Sequence, residues 1–261
     1  MQIKCVKLVY FSPTGNVRRT LRKIAAGTGW ETVEYDLTSF DARWQKYMFS
    51  AEDLVLIGMP VYYGRIPAIS EEFFRGIRAA ENTPAVFVVS YGNRDYEGAL
   101  LELKQKCEQK GFAGIAAAAF IGEHSCCPRV AAGRPDALDE EKALFFGREI
   151  RKKVADVADI SMLKNLQVKG KYPYRKSKER PVCPVTADHC DSCGLCSREC
   201  PVSAINPADP KETDPFRCLI CFRCIRNCPN GAKYIENDKF NNLIAELEKN
   251  CTVRKEPEIF I

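Results

Sequence analysis

The chain has 261 residues, 46% hydrophobic and 28% charged, the balance of an ordinary globular protein with room for one large core or two domains. Its 39 basic and 34 acidic residues leave a net charge of +5, too small for a dedicated nucleic-acid binder. No apolar stretch approaches the roughly 20 residues of a membrane span, and Met1 to Ser12 reads as a strand rather than a secretory leader, so a reducing cytoplasm is the expected compartment.

Residues 3–11 form an apolar, β-branched run that stops at Ser12-Pro13-Thr14-Gly15, a buried strand followed by a turn. Val17, Leu21, Ile24 and Ala25 then recur at helical spacing. Short or continuous apolar runs follow at Glu31–Asp36, Asp53–Met59, Pro84–Ser90 and Phe112–Gly122, with helical patterns over 67–80, 96–110 and 137–158. Strands alternating with helices predict a doubly wound α/β domain, and unbroken apolar strands suit a sheet covered on both faces. This places a first domain at residues 1–158.

Residues 159–182 read as a connector. Between Lys164 and Arg180, the bases Lys164, Lys169, Lys171, Arg175, Lys176, Lys178 and Arg180 stand against one acid, Glu179. The cluster is either a solvated face or a docking patch for an acidic redox partner. A cysteine-rich domain spans 183–236. In the remainder, 237–261, Phe240, Leu243, Ile244 and Leu247 make a short amphipathic helix, and the last residues form a tail or a packing strand.

Cys190, Cys193, Cys196 and Cys200 precede Pro201, and the same C-x2-C-x2-C-x3-C-P string recurs 28 positions later at Cys218, Cys221, Cys224, Cys228 and Pro229. This is the bacterial spacing for iron–sulfur ligands, in which the fourth cysteine serves the other cluster. Cys190, Cys193, Cys196 and Cys228 are thus assigned to one [4Fe–4S] cluster, and Cys218, Cys221, Cys224 and Cys200 to a second. Zinc knuckles need no third cysteine at fixed spacing and no trailing proline. Disulfides belong to oxidising compartments. The other six cysteines, Cys5, Cys107, Cys126, Cys127, Cys183 and Cys251, fit no spacing and read as free thiols.

In an open α/β sheet, ligands bind outside the carboxyl ends of the strands. Three such loops have compositions suited to parts of FMN. Ser12, Thr14, Gly15, Asn16 and Val17 precede a helix N-terminus that favours a phosphate. Pro60, Val61, Tyr62, Tyr63 and Gly64 offer two rings, either stacked on an isoalloxazine or packed on protein. Ser90, Tyr91, Gly92 and Asn93 offer backbone groups to the pyrimidine edge, while Arg94 is read as pairing with Asp95 or Glu97. A fourth segment, Glu123–Pro128, carries His124, either a donor to flavin N5 or a hydrogen-bonded loop residue. Vicinal Cys126 and Cys127 do not make a relaxed redox dithiol.

These loops resemble the phosphate loop and the two isoalloxazine loops of flavodoxin over roughly residues 1–155. Residues 183–236 resemble the two-cluster bacterial ferredoxin, down to Pro201-Val-Ser-Ala-Ile and Pro229-Asn-Gly-Ala after the fourth cysteines. The whole resembles a flavodoxin–ferredoxin fusion of anaerobic bacteria and archaea. The resemblance implies a flavodoxin-like sheet of order 2-1-3-4-5 with a smaller α+β ferredoxin-like domain, binding FMN and two [4Fe–4S] clusters. It departs at Val17, where flavodoxins usually carry Thr; backbone amides and Thr20 are the compensating donors.

The implied function is electron transfer between FMN and the clusters in anaerobic metabolism, with ferredoxin-like proteins or flavin enzymes as partners. The alternative is a flavin-dependent reductase of a quinone, nitro compound or similar acceptor, fed by the clusters. No G-x-G-x-x-G follows a strand, so the sequence lends nothing to direct nicotinamide use.

Overall fold

A computed structural model describes residues 2–80, 82–163, 165–176 and 182–261. Within the expected connector, Lys164, Lys178, Glu179 and Arg180 lie outside the described residues.

The chain opens with β1 (Cys5–Tyr10), α1 (Asn16–Thr28) and β2 (Thr32–Asp36), then short β3 (Tyr47–Phe49) and long β4 (Asp53–Pro60). Next come α2 (Ser70–Arg75), β5 (Ile77–Ala79), β6 (Thr83–Tyr91), α3 (Ala99–Glu108), β7 (Phe112–Ile121) and α4 (Ala137–Asp156). The cysteine-rich part holds β8 (Val185–Thr186), α5 (Leu195–Arg198), α6 (Arg223–Arg226) and β9 (Lys233–Tyr234). Helix α7 (Asp238–Asn250) and β10 (Glu258–Phe260) end the chain.

The main sheet runs β2-β1-β4-β6-β7-β10. Its first five strands are parallel, in the order expected of a flavodoxin-like sheet once the short β3 and β5 are set aside. Those two pair with each other in a separate parallel ribbon, Tyr47 opposite Ile77. The helix expected over 67–80 is therefore corrected. It lasts only from Ser70 to Arg75, because Gly76 ends it and Ile77–Ala79 gains a partner strand that local periodicity does not reveal.

Each central strand is apolar on both faces because each face is covered. Val9, Phe11, Val55, Ile57 and Val89 pack toward Phe73, Leu100 and Leu103 on one side. Val6, Leu8, Leu56, Val86, Val88 and Phe120 pack toward Leu21, Ile24, Phe146 and Ile150 of α1 and α4 on the other. Helix α4 starts in a capping box, with Asp136 and Asp139 exchanging side-chain and backbone hydrogen bonds. The final residues make a packing strand: β10 pairs antiparallel with β7, Glu258 opposite Ala119 and Phe260 opposite Ala117.

The cysteine-rich segment repeats its backbone as well as its sequence. Left-handed conformations occur at Ser192 and Ile220, at Gly194 and Phe222, and at Ser203 and Gly231, each pair at the period of the motif. Short helices α5 and α6 follow Gly194 and Phe222, and β8 pairs antiparallel with β9. Val202 and Leu219 of this segment pack against the first domain's core. Buried Arg43, in a single 3-10 turn over Asp41–Trp44, donates to the carbonyls of Thr38 and Pro201 and so joins the two parts. In the connector, Lys169 pairs with Glu258 and Arg175 with Glu97, so these two basic residues are engaged within the chain.

Candidate functional site

A cleft lies at the carboxyl ends of the parallel strands, enclosing about 770 Å³ of empty space, part of it open to solvent. Its walls come from three parts of the chain. The first domain supplies Val61, Tyr62, Tyr63, Gly64, Tyr91, Gly92 and His124. The second cysteine motif supplies Leu219, Ile220 and Phe222, and α7 supplies Phe240, Leu243 and Leu247. The first group was legible as candidate flavin residues. The other two were not: their apolar stripe and their spacing were visible, but not the face they cover.

Each loop is shaped by its own chemistry. Pro60 ends β4, and the Val61 amide donates to Ser90 O over 2.9 Å, so the second and third loops start side by side. Tyr62 and Arg65 exchange backbone bonds around Tyr63 and Gly64, both at positive φ, as in a tight hairpin turn. Tyr63 stands at its tip, 38% exposed, beside the cleft. The Tyr62 hydroxyl is pushed well up by burial, with the Cys221 and Cys218 sulfurs adding to the effect. Tyr62 thus lines the cleft near the second cysteine motif. Burial likewise pushes the Tyr91 hydroxyl up to about 12.

Gly92 permits a close approach: a Cβ there would stand 2.3 Å from His124 Cδ2. Burial, with Arg226 and Arg94 nearby, holds His124 down to about 4, so its imidazole is neutral at pH 7. Its Nδ1 lies 3.3 Å from Cys126 Sγ. Arg94 pairs with Glu97 at 2.6 Å. The Asn93 side chain is committed to the C-terminal tail. It donates to the carbonyls of Cys251 and Val253 and accepts from the Lys255 amide.

The Ser12–Val17 loop is not among the cleft's lining residues, but it adjoins them through the neighbouring Arg223, whose Nη1 donates to Pro13 O over 2.9 Å. Ser12 Oγ accepts from the Arg18 amide and keeps its own proton to donate. Gly15, at φ 87, has nothing within 4 Å of the space a Cβ would take. Asn16 spends its side-chain amide on Glu123 O. Val17 packs inward, where a Cβ on Gly58 would touch it. Among the described residues, Thr20 Oγ1 and Arg223 Nε are buried side-chain polar atoms with no hydrogen-bond partner. Arg223 Nε does lie 3.3 Å from Glu199 Oε2, near enough for attraction but misaligned for a hydrogen bond. The Ser12 hydroxyl, an open Gly15 and the Asn16 and Val17 amides at the start of α1 fit an anionic group of the phosphate kind.

The cysteines fall into two groups. Cys200, Cys218, Cys221 and Cys224 line one small apolar cavity together with Pro201, Ala204, Ile205 and Leu219. Burial pushes the thiols of Cys221 and Cys224 to about 12 and that of Cys218 to about 11. Bare thiolates are costly in such a place, and bound cations are what makes them affordable. The Ala204 amide donates to Cys200 Sγ and the Ile220 amide to Cys218 Sγ. In the other group, the Ala232 amide donates to Cys228 Sγ. The turn after Cys228 reaches Asp191, whose carboxylate the Cys193 amide and the Asn230 side chain hold low. That brings Cys228 toward Cys190, Cys193 and Cys196. Among the described residues, no three His, Cys, Asp or Glu side chains converge as ligands of a single ion would. Four thiols spread around a cavity fit the corners of a cubane. His189, beside Cys190, enters neither group.

Residues 7–121 match a family model described as a flavodoxin domain. An uncharacterised polyferredoxin-like protein of Methanocaldococcus jannaschii is 36% identical over 75 residues, 28% of this chain and 34% of that protein. The matched stretch thus spans about a third of the relative's length. Similar solved structures include a flavodoxin from the domain Archaea (15% identity, TM-score 0.41, 58% of this chain and 99% of the other). Another is the Streptococcus pneumoniae TIGR4 flavodoxin (16% identity, TM-score 0.42, 57% and 99%). No helix among the described residues is long and apolar enough to cross a membrane. With its strand order and the match over residues 7–121, the N-terminal part of this chain has a flavodoxin-like α/β fold.

Proposed function

We propose that the chain is an electron carrier that binds one FMN and two [4Fe–4S] clusters and links one-electron to two-electron partners. A single observation carries this reading. Leu219, Ile220 and Phe222 of the second cysteine motif line the same cleft as Tyr62, Tyr63, Gly92 and His124. When bound, FMN exchanges one or two electrons and each cluster one. The residues then have plain tasks. Leu219, Ile220 and Phe222 exclude water between cleft and cysteines. Neutral Tyr62 and His124 add no charge there. Amides directed at Cys200, Cys218 and Cys228 stabilise negative sulfur.

Exposure orders the path. Cys221 is 8% exposed and close to the cleft, whereas Cys193 is exposed at the surface. A redox partner, a ferredoxin-like protein or a flavin enzyme, is served by the Cys193 side. The rival reading, a reductase of a small acceptor, needs an open face above the ring. Phe240, Leu243 and Leu247 wall the cleft, which favours the carrier.

Anaerobic purification with iron, sulfide and flavin quantitation tests the proposal. Roughly eight irons and one FMN per chain are expected. Iron without flavin would leave the cysteine half standing and remove the cleft's assignment.

A further inference from the structure

Helix α6 has only four residues and none of them is buried. Such a turn cannot hold itself, since nucleation costs more than one turn returns. Yet the residues at and just before α6 fix most of the cleft. Phe222 forms part of its wall and stacks on Phe240 of α7, centroids 5.7 Å apart and planes at 20°. Arg223 donates to Pro13 O in the first loop. Arg226 donates to the Ser125 carbonyl, to Glu123 Oε1 at 2.8 Å and to the His124 carbonyl at 2.9 Å, filling its guanidinium on the loop that carries His124. Two walls of the cleft, α7 and the His124 loop, and the adjoining Pro13 loop thus all contact one five-residue stretch.

That stretch lies between Cys221 and Cys228 and contains Cys224. Phe222 and Ile220 sit in left-handed conformations that bulky side chains rarely adopt. Something outside the stretch must hold them, and the chain offers the cysteine cage lined by Cys200, Cys218, Cys221 and Cys224.

From this geometry we infer that filling of the second cysteine cage and FMN binding in the cleft are thermodynamically coupled, with Arg223 and Arg226 as the positioning residues that carry the coupling. The inference rests on the proposed function for both groups. A filled cage sets the α6 backbone. The backbone aims the two guanidinium groups, and these hold the Pro13 and Glu123–Ser125 loops where a flavin meets them. Linkage makes the effect reciprocal: what tightens FMN must also tighten the cage.

The test uses the full chain and measures the FMN dissociation constant by fluorescence, anaerobically, alongside iron content and far-UV circular dichroism. Intact protein should bind FMN at least tenfold more tightly than Cys221→Ser or Cys200→Ser protein. FMN should also slow iron loss from wild-type protein to a chelator. Because a cysteine variant can misfold, Arg226→Gln supplies an independent arm. It should keep the iron content of wild type, while the ratio of FMN affinities between iron-loaded and iron-depleted protein falls toward one. A merely structural role would weaken FMN in both forms and leave that ratio unchanged, which overturns the inference. So does a folded Cys221→Ser protein with wild-type FMN affinity. Wild-type protein that binds no FMN at all defeats the proposed function itself, a result distinct from either.

Discussion

Asn93 Nδ2 donates to the carbonyl of Cys251 over 2.8 Å, joining the end of β6 to the residue just after α7. The same amide reaches Val253 O at 2.9 Å, and Asn93 is only 2% exposed. The side chain therefore acts as a clamp on the tail that follows α7, one wall of the cleft. Asn93→Ala should lower stability by roughly 1–3 kcal/mol, the usual cost of stranding buried polar groups. Limited proteolysis should cut the 251–255 segment faster than in wild type; equal cleavage rates would show that the clamp holds nothing.

The cysteine grouping makes a pairwise forecast. Cys200→Ser should damage the same EPR signal as Cys221→Ser, although Cys200 belongs to the first motif in sequence. Cys228→Ser should pair with Cys193→Ser instead. If Cys200→Ser behaved like Cys193→Ser, the crossed arrangement would be wrong.

Arg134 and Asp139 form a buried pair, 5% and 0% exposed, with Arg134 Nε 2.7 Å from Asp139 Oδ2. Asp139 also accepts from the Asp136 amide, and Arg134 donates to Lys255 O at 2.8 Å. Removing the carboxylate strands a guanidinium in the interior. Asp139→Ala should cost about 3–5 kcal/mol in urea unfolding, and a loss below about 1 kcal/mol would contradict the burial seen here.

His124 makes stability depend on pH. Its imidazole is held down to about 4 by burial and by Arg226 and Arg94, against about 6.5 in an unfolded chain. Between those values the unfolded chain takes up a proton that the folded one refuses. Stability present above about pH 6.5 is therefore lost as the pH falls toward 4, by up to about 3 kcal/mol. Unfolding temperatures at a fixed scan rate, measured from pH 7 to pH 5, should fall more steeply for wild type than for His124→Asn. Parallel slopes would mean that the ring is not shielded.

Much of this was legible because it is local. The apolar runs at β4, β6 and β7 are long and that at β1 is interrupted only by Lys7, so strand and sheet type followed from them. The cysteine motifs carry their chemistry in their spacing. The misread stretch was 67–80, where Phe73, Phe74 and Ile77 imitate a helical stripe while Ile77–Ala79 pairs with Tyr47–Phe49. The tail contacts of the Asn93 side chain could not be read because its partners stand about 160 positions away in sequence. The stripe Phe240, Leu243 and Leu247 could be seen, but only tertiary packing shows that it faces the cleft. Arg223 and Arg226 were hidden among the motif cysteines, which drew the eye from the residues between them.

Strand β10 carries one last implication. The polypeptide departs from the large sheet after α4, builds the cysteine modules, and then comes home to lie along β7. The cysteine-rich segment is consequently anchored at both of its ends, unlike a bead hung on a flexible string. A fragment stopped near residue 158 would bare the rim of β7, an invitation to pair with a neighbouring molecule. Separating the halves by scissors at the apparent linker should therefore yield material that self-associates rather than a well-behaved miniature.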